Sequence, residues 1–198
     1  VIKGPSGVGK STLIKLLSYI YDDYKGKIFY DNQDLSTIKE ASFHEKVAFI
    51  YQDVFLFEDT LKNNITLFKP IDDATLEKVI KQSGLEAFVK SKEHGIDTLI
   101  TENGKNLSGG ERQRISIARA LAKNAEIIFI DEGTSALNEE LGASIEDAFT
   151  KLDSTVISIS HRYYPNISEQ YDYVLELKNG KINTYTSSDY FKEEAQYV

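Results

Sequence analysis

The chain has no cysteine, no methionine and no tryptophan, and three prolines among 198 residues. Without cysteine there is no disulfide framework, no thiolate zinc site and no cysteine nucleophile. With so few prolines, and neither a low-complexity tract nor an internal repeat, no segment reads as a linker. No apolar run approaches the roughly 18 residues that a membrane-spanning helix requires. The N-terminus also lacks the charged-then-apolar pattern of a signal peptide. Positive charge is not in excess either. The 23 Lys and Arg against 31 Asp and Glu give a formal net charge of −8, which argues against broad steering onto nucleic acid or anionic lipid.

What remains is 41% hydrophobic and 27% charged, ordinary for a globular chain with a sizeable core. A chain of this size buries about 70% of its unfolded surface, so it needs no covalent staples. Composition thus points to a soluble α/β domain of a reducing compartment. Along the chain, residues 1–3 form an apolar strand stub, followed by a glycine-rich stretch and an amphipathic helix over 11–21. Short strands are expected at 26–30, 46–51, 126–130, 155–160 and 173–177, the last turning back through Asn179-Gly180. Helices are expected over 74–83, after Asp72 and Asp73 and before Gly84, over 108–123, and over about 139–152. Alternating strands and helices predict a mainly parallel sheet flanked by helices. The core would span about 1–57 and 124–198, with an inserted α-helical subdomain at about 58–123.

The glycine stretch carries the first chemistry. Gly4, Pro5, Ser6, Gly7, Val8, Gly9, Lys10 and Ser11 fit G-x-x-x-x-G-K-[ST], the P-loop. A loop that wraps a polyphosphate with backbone N–H groups needs positions where a Cβ would clash, and glycine supplies them. The helix behind it turns its N-terminus, with about half a positive charge, toward the same anion. Lys10 can reach the β- and γ-phosphates, the Ser11 hydroxyl can ligate Mg²⁺, and Thr12 continues the nest.

The strand over 126–130 ends in Asp131 and Glu132. Any buried parallel strand ends in a polar residue somewhere, but beside a P-loop the pair acquires a role. Asp131 would stand near the metal, and Glu132 would orient or deprotonate the attacking water. A second anion nest follows from Ser108, Gly109, Gly110 and Glu111 at the start of the 108–123 helix. One nucleotide does not need two nests, unless its phosphates are clamped between two copies of the domain.

This combination resembles the ABC-transporter ATPase family, a branch of the P-loop NTPases with a RecA-like core. The run Leu107-Ser-Gly-Gly-Glu-Arg-Gln-Arg-Ile-Ser-Ile-Ala-Arg-Ala-Leu121 is similar to that family's signature motif. The resemblance implies further roles. Gln52 resembles the glutamine that touches Mg²⁺ or water, and His161, just past the 155–160 strand, the histidine that contacts the γ-phosphate. Ser135-Ala136-Leu137 resembles the segment that crosses the dimer interface. The stretch 52–65, with its Val54-Phe55-Leu56-Phe57 run, and Thr101–Gly104 resemble exporter-type members.

In this chain Asn138 stands where the family usually has Asp, and Gly133 where it usually has Pro. The family's adenine-stacking aromatic and first strands belong upstream of Val1, so an N-terminally truncated domain is expected. By resemblance the chain binds and hydrolyses ATP with Mg²⁺ and dimerises head-to-tail with a second nucleotide-binding domain. It would power transmembrane domains fused upstream, from the cytoplasmic face of a membrane, with no nucleic acid partner; the alternatives are a soluble ATPase of the same family acting on nucleic acid or ribosomes, or an ATP-binding regulatory module with little turnover.

Overall fold

Short β-branched runs separated by capped, amphipathic stretches fold here into two compact units. The computed structural model describes residues 1–194. Residues 195–198, at the end of the expected core segment, lie outside the described residues.

The first unit comprises 1–49, 125–131 and the described part of 153–198. Its sheet contains β4 (Val47–Ile50), β5 (Ile127–Asp131), β6 (Thr155–Ile159), β1 (Ile2–Lys3), β7 (Tyr173–Lys178) and β8 (Lys181–Thr186), in that spatial order. β5 runs parallel to β6, and β1 lies parallel between β6 and β7. β8 returns antiparallel on β7. That return uses Asn179 and Gly180, both at positive φ (52° and 71°), the geometry of a tight two-residue hairpin. Strands buried on both faces read as continuous apolar runs, and Ile127–Ile130 is one. Phe129 is 1% exposed and stacks on Phe49 with ring centres 5.6 Å apart. Around them Ile2, Ile14, Phe43, Val47 and Ile159 complete the core.

Helix α1 (Lys10–Leu17) ends sooner than its apolar spacing predicts. Tyr19 adopts φ 60°, and the N–H groups of Ile20 and Tyr21 both return to the Lys15 carbonyl, closing the helix although Ile20 continues the periodicity. The 26–30 strand shrinks to β2 (Phe29–Tyr30), paired antiparallel with β3 (Gln33–Asp34) in a separate two-stranded sheet. Two further helices, α2 (Glu40–Lys46) and α8 (Ser187–Glu194), are too short to print a clear helical period in the sequence.

The second unit comprises 50–124 and 132–152. It holds α3 (Leu61–Thr66), α4 (Asp73–Gln82), α5 (Glu86–Lys90), α6 (Gly109–Ala122) and α7 (Glu139–Thr150). Side-chain caps start α4 and α6 where the sequence predicts: Asp72 accepts from Thr75 N–H, and Ser108 from Glu111 N–H. Leu61, Ile65, Leu76, Leu85, Ile100 and Ile115 form its core. Segment 132–152, which chain order places between two strands, groups with the helices.

Phe129 is a large, fully buried side chain of the sheet core. Phe129→Ala is expected to cost about 3–5 kcal/mol of stability in urea unfolding. A loss below about 1 kcal/mol would mean that the core collapses into the space left behind.

Candidate functional site

The glycine loop runs from β1 into α1. Gly4 sits at φ 141°, and a Cβ there would lie 2.4 Å from the Leu177 carbonyl oxygen, so no other residue fits without moving β7. Gly9, at φ 104°, is the N-cap of α1 and supplies no side-chain cap, which leaves the first-turn amides open to an anion. The Lys10 side chain is buried at 7% exposure, and its Nζ donates to the carbonyls of Gly4 (2.8 Å) and Pro5 (2.9 Å). Two carbonyl dipoles satisfy its protons without cancelling its charge. The loop therefore presents a fixed cation and a ring of amides, a receptor for polyphosphate.

Strand register assembles the rest of this edge. Ile2 pairs with Ile159, and Asp131 pairs with Ile159 from the other side. Gly4 and His161 each follow two residues later, so Asp131, His161 and the glycine loop emerge at the carboxyl edge of three adjacent parallel strands. That edge is where open α/β sheets bind ligands. Ser11 Oγ donates to Asp131 Oδ1 at 3.2 Å. A hydroxyl and a carboxylate side by side are hard oxygen donors, the kind Mg²⁺ takes when it is also held by substrate phosphates and water. Among the described residues no cluster of three His, Cys, Asp or Glu could hold a metal without such help. The donor set fits Mg²⁺ that arrives with a nucleotide.

Glu132 follows Asp131 at φ 54°, a left-handed conformation that costs a non-glycine residue about 1–3 kcal/mol. It turns the chain out of β5, and the Glu132 carbonyl accepts from Ser135 N–H at 3.0 Å. Asn138, three residues further on, caps α7 by accepting from Leu141 N–H at 2.9 Å. An asparagine oxygen makes this cap as an aspartate would, without the charge.

On the helical unit, Ser108 and Glu111 close a capping box at the start of α6. Ser108 Oγ accepts from Glu111 N–H (3.2 Å), and Glu111 Oε2 accepts from Ser108 N–H (2.7 Å). Ser108 and the Glu111 carboxylate are thus engaged with each other, and the amides of Gly109 and Gly110 are what this terminus turns toward a ligand. Burial pushes the Glu111 carboxyl upward, but the hydrogen bonds from Ser108 outweigh it and hold the group below the usual carboxylate range.

Gln52 is exposed, and its neighbour Tyr51 accepts through its carbonyl from the buried Gln113 of α6 at 3.3 Å. Two further ties hold the run that follows. Leu56 N–H donates to Asn103 Oδ1 at 3.2 Å. Arg119, near the end of α6, donates to the carbonyls of Asn64 (2.9 Å) and Phe55 (3.1 Å). Above them Phe55, Phe57 and Phe68 form an exposed aromatic patch, with ring centres 5.2 Å and 6.0 Å apart.

Gly4–Thr12, Asp131 and His161 therefore stand on the sheet unit, whereas Gln52, Ser108–Glu111 and Glu132 belong to the helical unit. Asn103, Asn64 and Arg119 escaped the sequence reading as supports of the aromatic run. Asn64 is fully buried in α3, which the sequence alone does not reveal.

A glycine nest with a buried lysine, a Ser–Asp pair at a parallel sheet's carboxyl edge and a left-handed glutamate define a P-loop nucleoside triphosphatase. The family model described as "ABC transporter" matches residues 1–135. The ATP-dependent lipid A-core flippase of Pectobacterium atrosepticum is 40% identical over 183 residues, covering 90% of this chain and 31% of that protein. The beta-(1-->2)glucan export ATP-binding/permease protein of Rhizobium meliloti is 37% identical over 186 residues, covering 91% of this chain and 31% of that protein. The solved structure of a bacterial Atm1-family ABC exporter with ATP bound superposes with a TM-score of 0.88 at 34% identity, over 98% of this chain and 34% of that one. The chain belongs to the ABC transporter family, as an ATP-binding domain. It spans about a third of the length of these relatives.

Because the folded-state carboxyl of Glu111 lies below its ordinary range, the capping box contributes fully at neutral pH. Its contribution should disappear as pH falls through that lowered value. The Ser108 amide NMR shift is expected to titrate with a midpoint below about 4.3. In Glu111→Ala that titration should vanish.

Proposed function

We propose that this domain works as one half of a head-to-tail pair that closes on two ATP molecules and powers export through membrane domains carried by the same protein. The observation supporting it most strongly is the shared carboxyl edge of β5, β6 and β1, with the Ser11–Asp131 pair beside the Lys10 loop. A capped Ser-Gly-Gly terminus, with the Gly109 and Gly110 amides in its first turn, fits the second half of the clamp.

In this reading Gly4–Thr12 cradle the triphosphate and Lys10 leaves its two carbonyls for the terminal phosphates. Ser108, Gly109 and Gly110 of the opposite copy complete the clamp around the γ-phosphate. Ser11, Asp131 and Gln52 would hold Mg²⁺, which would supply positive charge to the phosphate oxygens. Glu132 takes a proton from water as its oxygen bonds to the γ-phosphorus and the bond to the bridging oxygen breaks. His161 holds the transferring group in line. ADP and phosphate leave like-charged, and the pair separates. The aromatic patch of Phe55, Phe57 and Phe68, tied by Arg119 to α6, suits docking of an apolar segment from the membrane domains at the cytoplasmic face. The relatives named above are exporters or flippases, which supports the direction of transport; the cargo belongs to the rest of the protein.

Glu132→Gln should retain ATP binding and accumulate an ATP-bound dimer on size exclusion, while phosphate release falls by about 10²–10⁴-fold. Wild-type turnover in that variant would remove Glu132 from the chemistry. Phe55→Asp in the complete transporter should abolish transport but keep basal hydrolysis. Loss of both together would make Phe55 a support of the fold rather than a docking residue.

A further inference from the structure

Lys3 occupies the innermost strand of a mainly parallel sheet, a position that apolar residues normally fill. A cation there costs desolvation unless its charge is engaged. Its Nζ donates to the Arg162 carbonyl at 3.0 Å and lies 5.6 Å from the centre of the Phe191 ring. Arg162 is the residue after His161, and Lys3 is the residue before Gly4. One side chain therefore bridges the strand that feeds the phosphate loop and the loop that carries the histidine.

The histidine loop is also held from the other side. Phe191, on α8 and 2% exposed, stacks on Tyr163 with ring centres 5.1 Å apart and an interplanar angle of 29°. Tyr190 meets Phe191 edge-on at 5.3 Å. The Tyr163 hydroxyl donates to Glu169, and Tyr164 N–H donates to Ser168 Oγ at 2.9 Å. Each of the three residues after His161 is thus anchored, and Lys3 is the anchor that reaches the phosphate loop.

We propose that Lys3, braced by the Phe191 ring, is a positioning residue for His161: it fixes the spacing between the glycine loop and the imidazole. The inference rests on the reading of His161 as the group that contacts the γ-phosphate. A displacement of about 1 Å at a reacting group can cost up to about 10²-fold in rate, so losing this bridge should show in turnover rather than in binding.

The test is a double-mutant cycle in the complete protein, reading steady-state kcat and KM together with the affinity for a fluorescent ATP analogue. Lys3→Met keeps the apolar stem and removes the donor, and Lys3→Arg restores a donor. Lys3→Met should lower kcat by about 10- to 100-fold with affinity changed less than about twofold, and Lys3→Arg should recover most of the rate. In a His161→Ala background Lys3→Met should cost nothing more. An equal further loss there would make Lys3 a support of the fold and overturn the inference, as would an unchanged kcat in Lys3→Met alone. If His161→Ala by itself turns over normally, the reading of His161 fails, and the inference falls with it by a separately visible route.

Discussion

Two strand residues, Ile2 and Lys3, hold the phosphate-binding edge together. Ile2 is 1% exposed and pairs with Ile159 on one side and Leu175 on the other. That pairing sets the height at which Gly4 leaves the sheet, and the same ladder sets the height of Asp131 through Ile159. A slip of one residue in β1 would send Ile2 to the opposite face and carry the glycine loop away from Asp131. Gly4 adds a steric lock, since its approach to the Leu177 carbonyl leaves no room for a Cβ. Ser11–Asp131 contact, the position of His161 and the open amides of α1 all follow from this short ladder.

The helical unit relies on a different device: side-chain donors fix irregular backbone. Asn64 accepts from Phe57 N–H and donates back to the Phe57 carbonyl, imitating a strand partner for a segment that has none. Arg119 is held by carbonyls of Asn64 and Phe55, and burial lowers the pKa of its guanidinium. A planar fork of donors suits this task better than an ammonium, because several carbonyls are satisfied by one rigid group. The result is an aromatic run exposed at its tips but immobilised at its backbone, and tied directly to α6. Through Arg119 the Phe55 backbone is joined to the helix that begins after Ser108.

Much of this was legible in the residues. Asp72 and Ser108 mark the helix starts because a short side-chain oxygen three residues before an amide is a local event, independent of the rest of the chain. Asn179-Gly180 marks the hairpin for the same reason. Periodicity misled where tertiary geometry intervened, as at Tyr19, whose left-handed turn ends α1 before the apolar spacing does. Helices of five to eight residues, such as α5 and α8, offer too few turns for a period to be read. Ser108 and Glu111 also close a reciprocal cap on each other.

The sequence by itself determined the chemistry: which residues could cradle phosphate, hold a metal or move a proton, and in what order the motifs come. These are properties of local residue types and short spacings. Only the tertiary structure decided that Asp131, His161 and Gly4 share one edge, because register is set by ladders between distant residues, Ile2 with Ile159 and Ile159 with Asp131. It also decided that Lys3 reaches the loop after His161, a contact spanning 159 positions that no local pattern encodes.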